Sequence, residues 1–243
     1  MKKIIALMFV ITIMSSSSAY GHKLITHDDK HRNLENALEI SDHKISWAIY
    51  ENLGPYEEKF YSFEAKSGDS FYASIVIPKI AGLEEYSPTL VLINSNYIEQ
   101  DDNLLESQAV MEKVDYDEGF PGIEFYEPFG QVTYWERQEI KTTLTTEGKY
   151  YLIVLDEKNQ VGKYSLAVGT IEDFSGEDLF TTLPTAWLET KLFVEDYASV
   201  AIFVLVLIGI VALPIIVIRR KINRSKTNIS SSGNVLVKKR KMK

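Results

Sequence analysis

The run Gly148-Lys149-Tyr150-Tyr151-Leu152-Ile153-Val154, followed by Gly162-Lys163-Tyr164-Ser165-Leu166-Ala167-Val168, decides the fold. In the second run Tyr164, Leu166 and Val168 fall on one side, and Ser165 and Ala167 on the other. That period of two belongs to a half-buried β-strand. A glycine opens each run, as expected where a turn feeds a strand. The same signature recurs upstream, where Tyr61, Phe63 and Ala65 oppose Phe60, Ser62 and Glu64.

Working outward, short runs rich in Tyr, Phe, Val, Ile and Thr repeat from Ser46 to Thr170. Strands are predicted at 46–53, 59–65, 70–77, 89–94, 123–127, 132–135, 139–144, 150–155 and 163–168. Gly54-Pro55, Ser67-Gly68-Asp69, Glu147-Gly148 and Val161-Gly162 punctuate them. No long amphipathic helix interrupts the series, so it predicts an antiparallel, jelly-roll-like β-sandwich over 46–172 and excludes a βαβ fold.

Phe60-Tyr61-Ser62-Phe63 with Ser67-Gly68-Asp69, and the two glycine-led runs that close the series, resemble the bacterial pre-peptidase C-terminal domain. That family opens with a Tyr-x-Phe strand and a small polar turn, and closes with Gly-x-Tyr-Tyr and Gly-x-Tyr-x-Leu strands. The resemblance covers roughly residues 46–170. It implies a non-catalytic, jelly-roll-like accessory domain of a kind that sometimes binds calcium or adheres to substrate. The chain has no protease domain, and 94–122 lacks the family's Asp-x-Asp strand.

The ends of the chain predict a membrane protein. Lys2 and Lys3, the apolar run from Ile4 to Met14 and the small residues 15–21 form a secretory signal, cleaved after Ala19 or Gly21. Ala198 to Ile218 carry no charge and, as a helix about 31 Å long, suffice to cross a bilayer core. Ten Lys/Arg and no Asp/Glu follow, at 219–243, while all 34 acidic residues precede the run. The positive-inside rule sets this basic tail in the cytoplasm and the rest outside, as a single-pass plasma-membrane protein. The distal group Lys238-Lys239-Arg240-Lys241 is suited to anionic lipids of the inner leaflet.

Residues 22–197 hold 14 basic and 34 acidic side chains, which excludes nucleic acid as a partner and favours cations or basic surfaces. No cysteine is present, so disulfides, thiolate metal sites and a cysteine nucleophile are excluded. No Gly-x-Ser-x-Gly, His-Glu-x-x-His or Walker motif occurs, and no histidine lies within 46–170 to complete a triad. The chain reads as a non-enzyme.

Three groups offer binding chemistry. Asp101 and Asp102 in one loop, and Asp115, Asp117 and Glu118 in another, offer oxygen ligands and make calcium the cofactor to test; the bland reading is solvated carboxylates of an acidic domain. His22, His27 and His31, in the polar arm 22–45 that also holds His43, offer nitrogen ligands for copper, most directly if His22 is the mature N-terminus; the bland reading is a solvated, partly disordered arm. Tyr126, Phe129, Tyr134 and Trp135 surround a Pro128–Gly130 loop and form a candidate surface for carbohydrate or another surface protein, against the reading that such rings fill the core.

Between sandwich and membrane, Ser175-Gly176-Glu177-Asp178 has the form of a helix capping box, and Leu179, Leu183 and Trp187 share a helical face. This juxtamembrane segment, 173–197, is either an interfacial helix on the bilayer or a strap on the sandwich. Non-catalytic binding or scaffolding at the cell surface is the expected function, and metal handling by the histidine arm is the alternative.

Overall fold

A computed structural model describes residues 22–98, 105, 108–118, 120–173 and 182–240, with backbone alone for 221–240. The signal segment, Asp101, Asp102 and the capping box at 175–178 lie outside the described residues. The chain divides into two compact units, Met1–Val194 and Glu195–Lys243.

The first unit is a β-sandwich. Its strands are β1 (Lys23–Leu24), β2 (Leu38–Glu39), β3 (Trp47–Leu53), β4 (Glu58–Ala65), β5 (Ser70–Pro78), β6 (Thr89–Asn94), β7 (Val110–Val114), β8 (Ile123–Glu127), β9 (Val132–Thr143), β10 (Gly148–Leu155) and β11 (Gly162–Val168). One sheet has the order β1-β3-β11-β5-β9-β8 and the other β2-β4-β10-β6-β7. All pairings are antiparallel except β1 with β3 and β2 with β4. Both parallel pairings come from the arm, which is therefore ordered at its ends and belongs to the fold, contrary to its reading as a solvated arm.

Strand alternation builds the core. From β11, Tyr164, Leu166 and Val168 face the other sheet and are fully buried; β3 contributes Ile49 and Leu53, β4 Tyr61 and Phe63, and β10 Tyr150, Leu152 and Val154. The Phe63 ring stacks on Phe71 at 4.8 Å and on Tyr150 at 5.5 Å. Burying such side chains stabilises by about 1.5–3 kcal/mol each, which lets a cysteine-free domain hold together.

The two short runs expected at 132–135 and 139–144 form one strand, β9. Its pairing with β5 passes from Ser74↔Glu139 to Val76↔Glu136, so β9 carries one extra residue there. The bulge lets Arg137 and Gln138 both turn inward. Arg137 donates to the carbonyls of Tyr86 and Glu84, at 3.2 and 2.6 Å, and Gln138 donates to Ser87 Oγ at 2.6 Å. At the far end of β11, Gly169 has φ +75°, and a Cβ there would lie 2.1 Å from the Ile45 carbonyl oxygen, so only glycine fits where the arm meets the strand.

Helix α1 (Thr182–Phe193) follows the sandwich and packs on it. Ala186, Thr190 and Lys191 are buried, Thr190 Oγ1 bonds the Tyr50 hydroxyl at 2.7 Å, and Phe193 stacks on Tyr50 at 4.4 Å. The face turned to the sandwich is thus 186–190–193, a strap, while Leu183 and Trp187 are only half-buried.

The second unit is one helix, α2 (Tyr197–Arg240), with Pro214 inside it. Within Tyr197–Arg220 an 18-residue window has mean hydropathy 3.3, so the segment is long and apolar enough to cross a membrane, and its apolar side chains are exposed.

Candidate functional site

Strand β3 alternates Ile49, Glu51, Leu53 toward the core, so its period alone carries a carboxylate inward. On β4 the same rule places Lys59 with Tyr61 on the inner face. The arm crosses between the sheets at this side of the sandwich: Ile25 N–H donates to the Ala48 carbonyl on β3, and Phe60 N–H on β4 donates to the His31 carbonyl. His27 and His31 lie on the crossing and close over Glu51.

A polar cluster results. His31 Nε2 is 2.6 Å and His27 Nε2 3.2 Å from Glu51 Oε1, with the two rings edge-on at 4.7 Å. Tyr61 donates its hydroxyl to the same oxygen at 3.1 Å and also meets the Tyr164 hydroxyl at 2.8 Å across the sandwich. Burial drives both phenols well above the ordinary tyrosine value, so they act as neutral hydrogen-bonding groups. Lys59, fully buried, pairs with Asp29 on the arm and lies 3.7 Å from Glu51 Oε2. Among the described residues, His27, His31 and Glu51 form one group whose ligand atoms all lie within 4.8 Å of one another.

The three histidines expected to act together are divided. His22 lies elsewhere, its Nδ1 2.6 Å from Ser46 Oγ, and burial lowers its pKa. His43 is buried against Phe63 and Phe71. Sequence reasoning missed Glu51; the signal was its place between Ile49 and Leu53 in an inward-facing set.

A second feature lies on the outer face of the six-stranded sheet. A groove of about 220 Å³ runs between that face, β8 and α1. Tyr50, Tyr72 and Tyr134 line it with Phe125 and Phe129, and the Phe125 and Tyr134 rings stack at 5.6 Å. Two carboxyls enter it. Glu127 accepts from the Phe129 and Gly130 amides, at 2.7 and 2.5 Å, which holds the loop; Glu136 accepts from Tyr72 at 3.3 Å. Burial raises both carboxyl pKa values and pushes Tyr50 up to about 12.

The aromatic residues singled out from sequence are therefore split by the pleat. Phe129 and Tyr134 line the groove. Trp135 turns to the opposite face, under Lys79 and Arg137 and bonded to Glu124 at 3.3 Å. Tyr126 is exposed, 59%, on edge strand β8. Of the acidic loop, Asp115 pairs with Lys113 and Asp117 with Lys158, each at 2.7 Å, and Glu118 is exposed. Cations of the chain itself partner these two aspartates.

No family model matches the chain, and no curated protein matches it. Solved structures similar to it include PliG of Salmonella Typhimurium, a periplasmic inhibitor of g-type lysozyme (19% identity, 55% of this chain, 98% of that one, TM-score 0.30). They also include the pre-peptidase C-terminal domain of a Bacillus anthracis collagenase (19% identity, 54% and 91%, TM-score 0.30). A third is CorA, a surface-associated copper-binding protein of Methylomicrobium album BG8 (8% identity, 63% of this chain and 99% of that one, TM-score 0.28).

Proposed function

We propose that this chain is a single-pass membrane protein whose β-sandwich stands outside the cell and works by non-catalytic binding, with the outer-face groove as its binding surface. The groove carries this reading. It is concave, walled by tyrosine and phenylalanine rings, and holds a few polar groups that can orient a ligand, the composition expected of a recognition site. Rings of this kind stack on sugar faces or grip a partner's side chains, and the acidic surroundings favour a neutral or basic partner. The apolar run of α2 and the basic residues after it support anchoring with the tail inside.

The test is an array of surface glycans and basic peptides, probed with the purified chain in detergent. Binding that is lost in Phe129→Ala and kept in Val161→Ala, an exposed turn position outside the groove, supports the reading. Equal binding by both variants would place recognition elsewhere.

A further inference from the structure

We propose that His27, His31 and Glu51 form a site for one divalent ion of the zinc type, with the fourth position open to a water or small ligand.

Two imidazole nitrogens converge on a single carboxylate oxygen, at 3.2 and 2.6 Å. Two neutral histidines and one carboxylate form a donor set that suits Zn²⁺, whose bonds to such atoms are about 2.0–2.2 Å long. Ligand atoms gathered within 4.8 Å can meet one ion with small ring rotations. His27 is the ring with most room to make them, since its side chain is 13% exposed against 3% for His31 and 1% for Glu51, and its Nε2 would leave the Tyr50 carbonyl to do so.

The surroundings supply what a metal site needs beyond its ligands. Tyr61 donates to Glu51 Oε1 and is held in turn by Tyr164, which fixes the carboxylate. The other oxygen, Oε2, faces Lys59, whose charge Asp29 and Glu51 share, so Oε1 is the side left for an ion. A cavity of about 240 Å³ beside His27, walled by Leu24, Tyr50 and Glu189, gives a route in and room for the fourth ligand.

Without metal, His31 and Glu51 share a hydrogen bond, His27 Nε2 donates to the Tyr50 carbonyl at 3.1 Å and His27 Nδ1 accepts weakly from the Asp29 amide at 3.3 Å. On binding, each Nε2 gives its lone pair to the ion and each neutral ring carries its proton on Nδ1, so His27 exchanges its Nε2–H for an Nδ1–H. The contact to the Asp29 amide is then lost. None of the three ligands lines the groove, although Tyr50 walls both the groove and the cavity beside His27.

The experiment uses the full chain in detergent, stripped with chelator and dialysed against Zn²⁺. One zinc per chain is expected, with a rise in Tm and an X-ray absorption spectrum of two imidazoles and oxygen ligands. His27→Ala, at the rim, is expected to fold and to lose at least about tenfold in affinity, while His22→Ala leaves affinity unchanged. Absence of zinc on the wild-type chain, or loss in His22→Ala but not in His27→Ala, would overturn the proposal.

Discussion

Tyr61 on β4 and Tyr164 on β11 belong to different sheets, and their hydroxyls meet at 2.8 Å inside the sandwich. In β3–β11 register Tyr164 stands opposite Glu51, so the tyrosine pair links the two sheets to a buried carboxylate. Tyr61→Phe removes a donor to Glu51 and a partner of Tyr164. It is expected to cost about 1–3 kcal/mol, read by thermal or denaturant unfolding.

Lys59 is the cation of the same cluster, and its side chain is fully buried. Lys59→Ala leaves Glu51 buried without that charge and opens a space beneath the arm. The expected loss is about 3–5 kcal/mol, the cost of breaking a buried ion pair from one side. A loss below about 1 kcal/mol would show that water reaches Glu51.

The groove carboxyls give a pH signature. Burial raises Glu136 above its ordinary 4.5, so the native state holds this proton more tightly than the unfolded chain. Its contribution is fully present below pH 4.5 and falls as pH rises through the native value. Glu136→Gln removes that loss, so the variant should melt higher than wild type at pH 7 and alike below pH 4.5. A lower melting temperature at pH 7 would contradict the assigned burial effect.

Helix α1 is held by the Tyr50–Thr190 bond and the Phe193–Tyr50 stack. Trp187 emission, in a chain with Trp47→Phe and Trp135→Phe, should therefore follow unfolding of the sandwich. Phe193→Ala should cost about 1 kcal/mol from the aromatic pair. Strong quenching of Trp187 by lipid-borne groups would instead favour the interfacial helix.

Much of this architecture is legible in the chain. The runs around Tyr61, Tyr150 and Tyr164 are rich in β-forming residues and all form strands, and their second faces, with Phe60, Ile153 and Ala167, are buried as well. β9 was divided because Arg137 and Gln138 break the pattern; a bulge and the 84–87 carbonyl and hydroxyl partners bury them, and neither is a local signal. β7 lacks aromatic residues, and β1 and β2 are two residues each, made by contact with β3 and β4. On α1 the small residues Ala186 and Thr190 approach the sheet, whereas the bulkier Leu183 and Trp187 make the stripe visible in the sequence. The cluster at Glu51 depends on the arm crossing back over β3 and β4, a long-range event that spacing among histidines does not encode.

The function proposed for the chain needs the sandwich to face outward on a membrane anchor. Protease added to intact cells tests it most directly, with one epitope on the sandwich and one on the basic tail. Digestion of the sandwich with survival of the tail epitope is the predicted result. A protected sandwich with loss of the tail epitope would reverse the orientation and contradict the account.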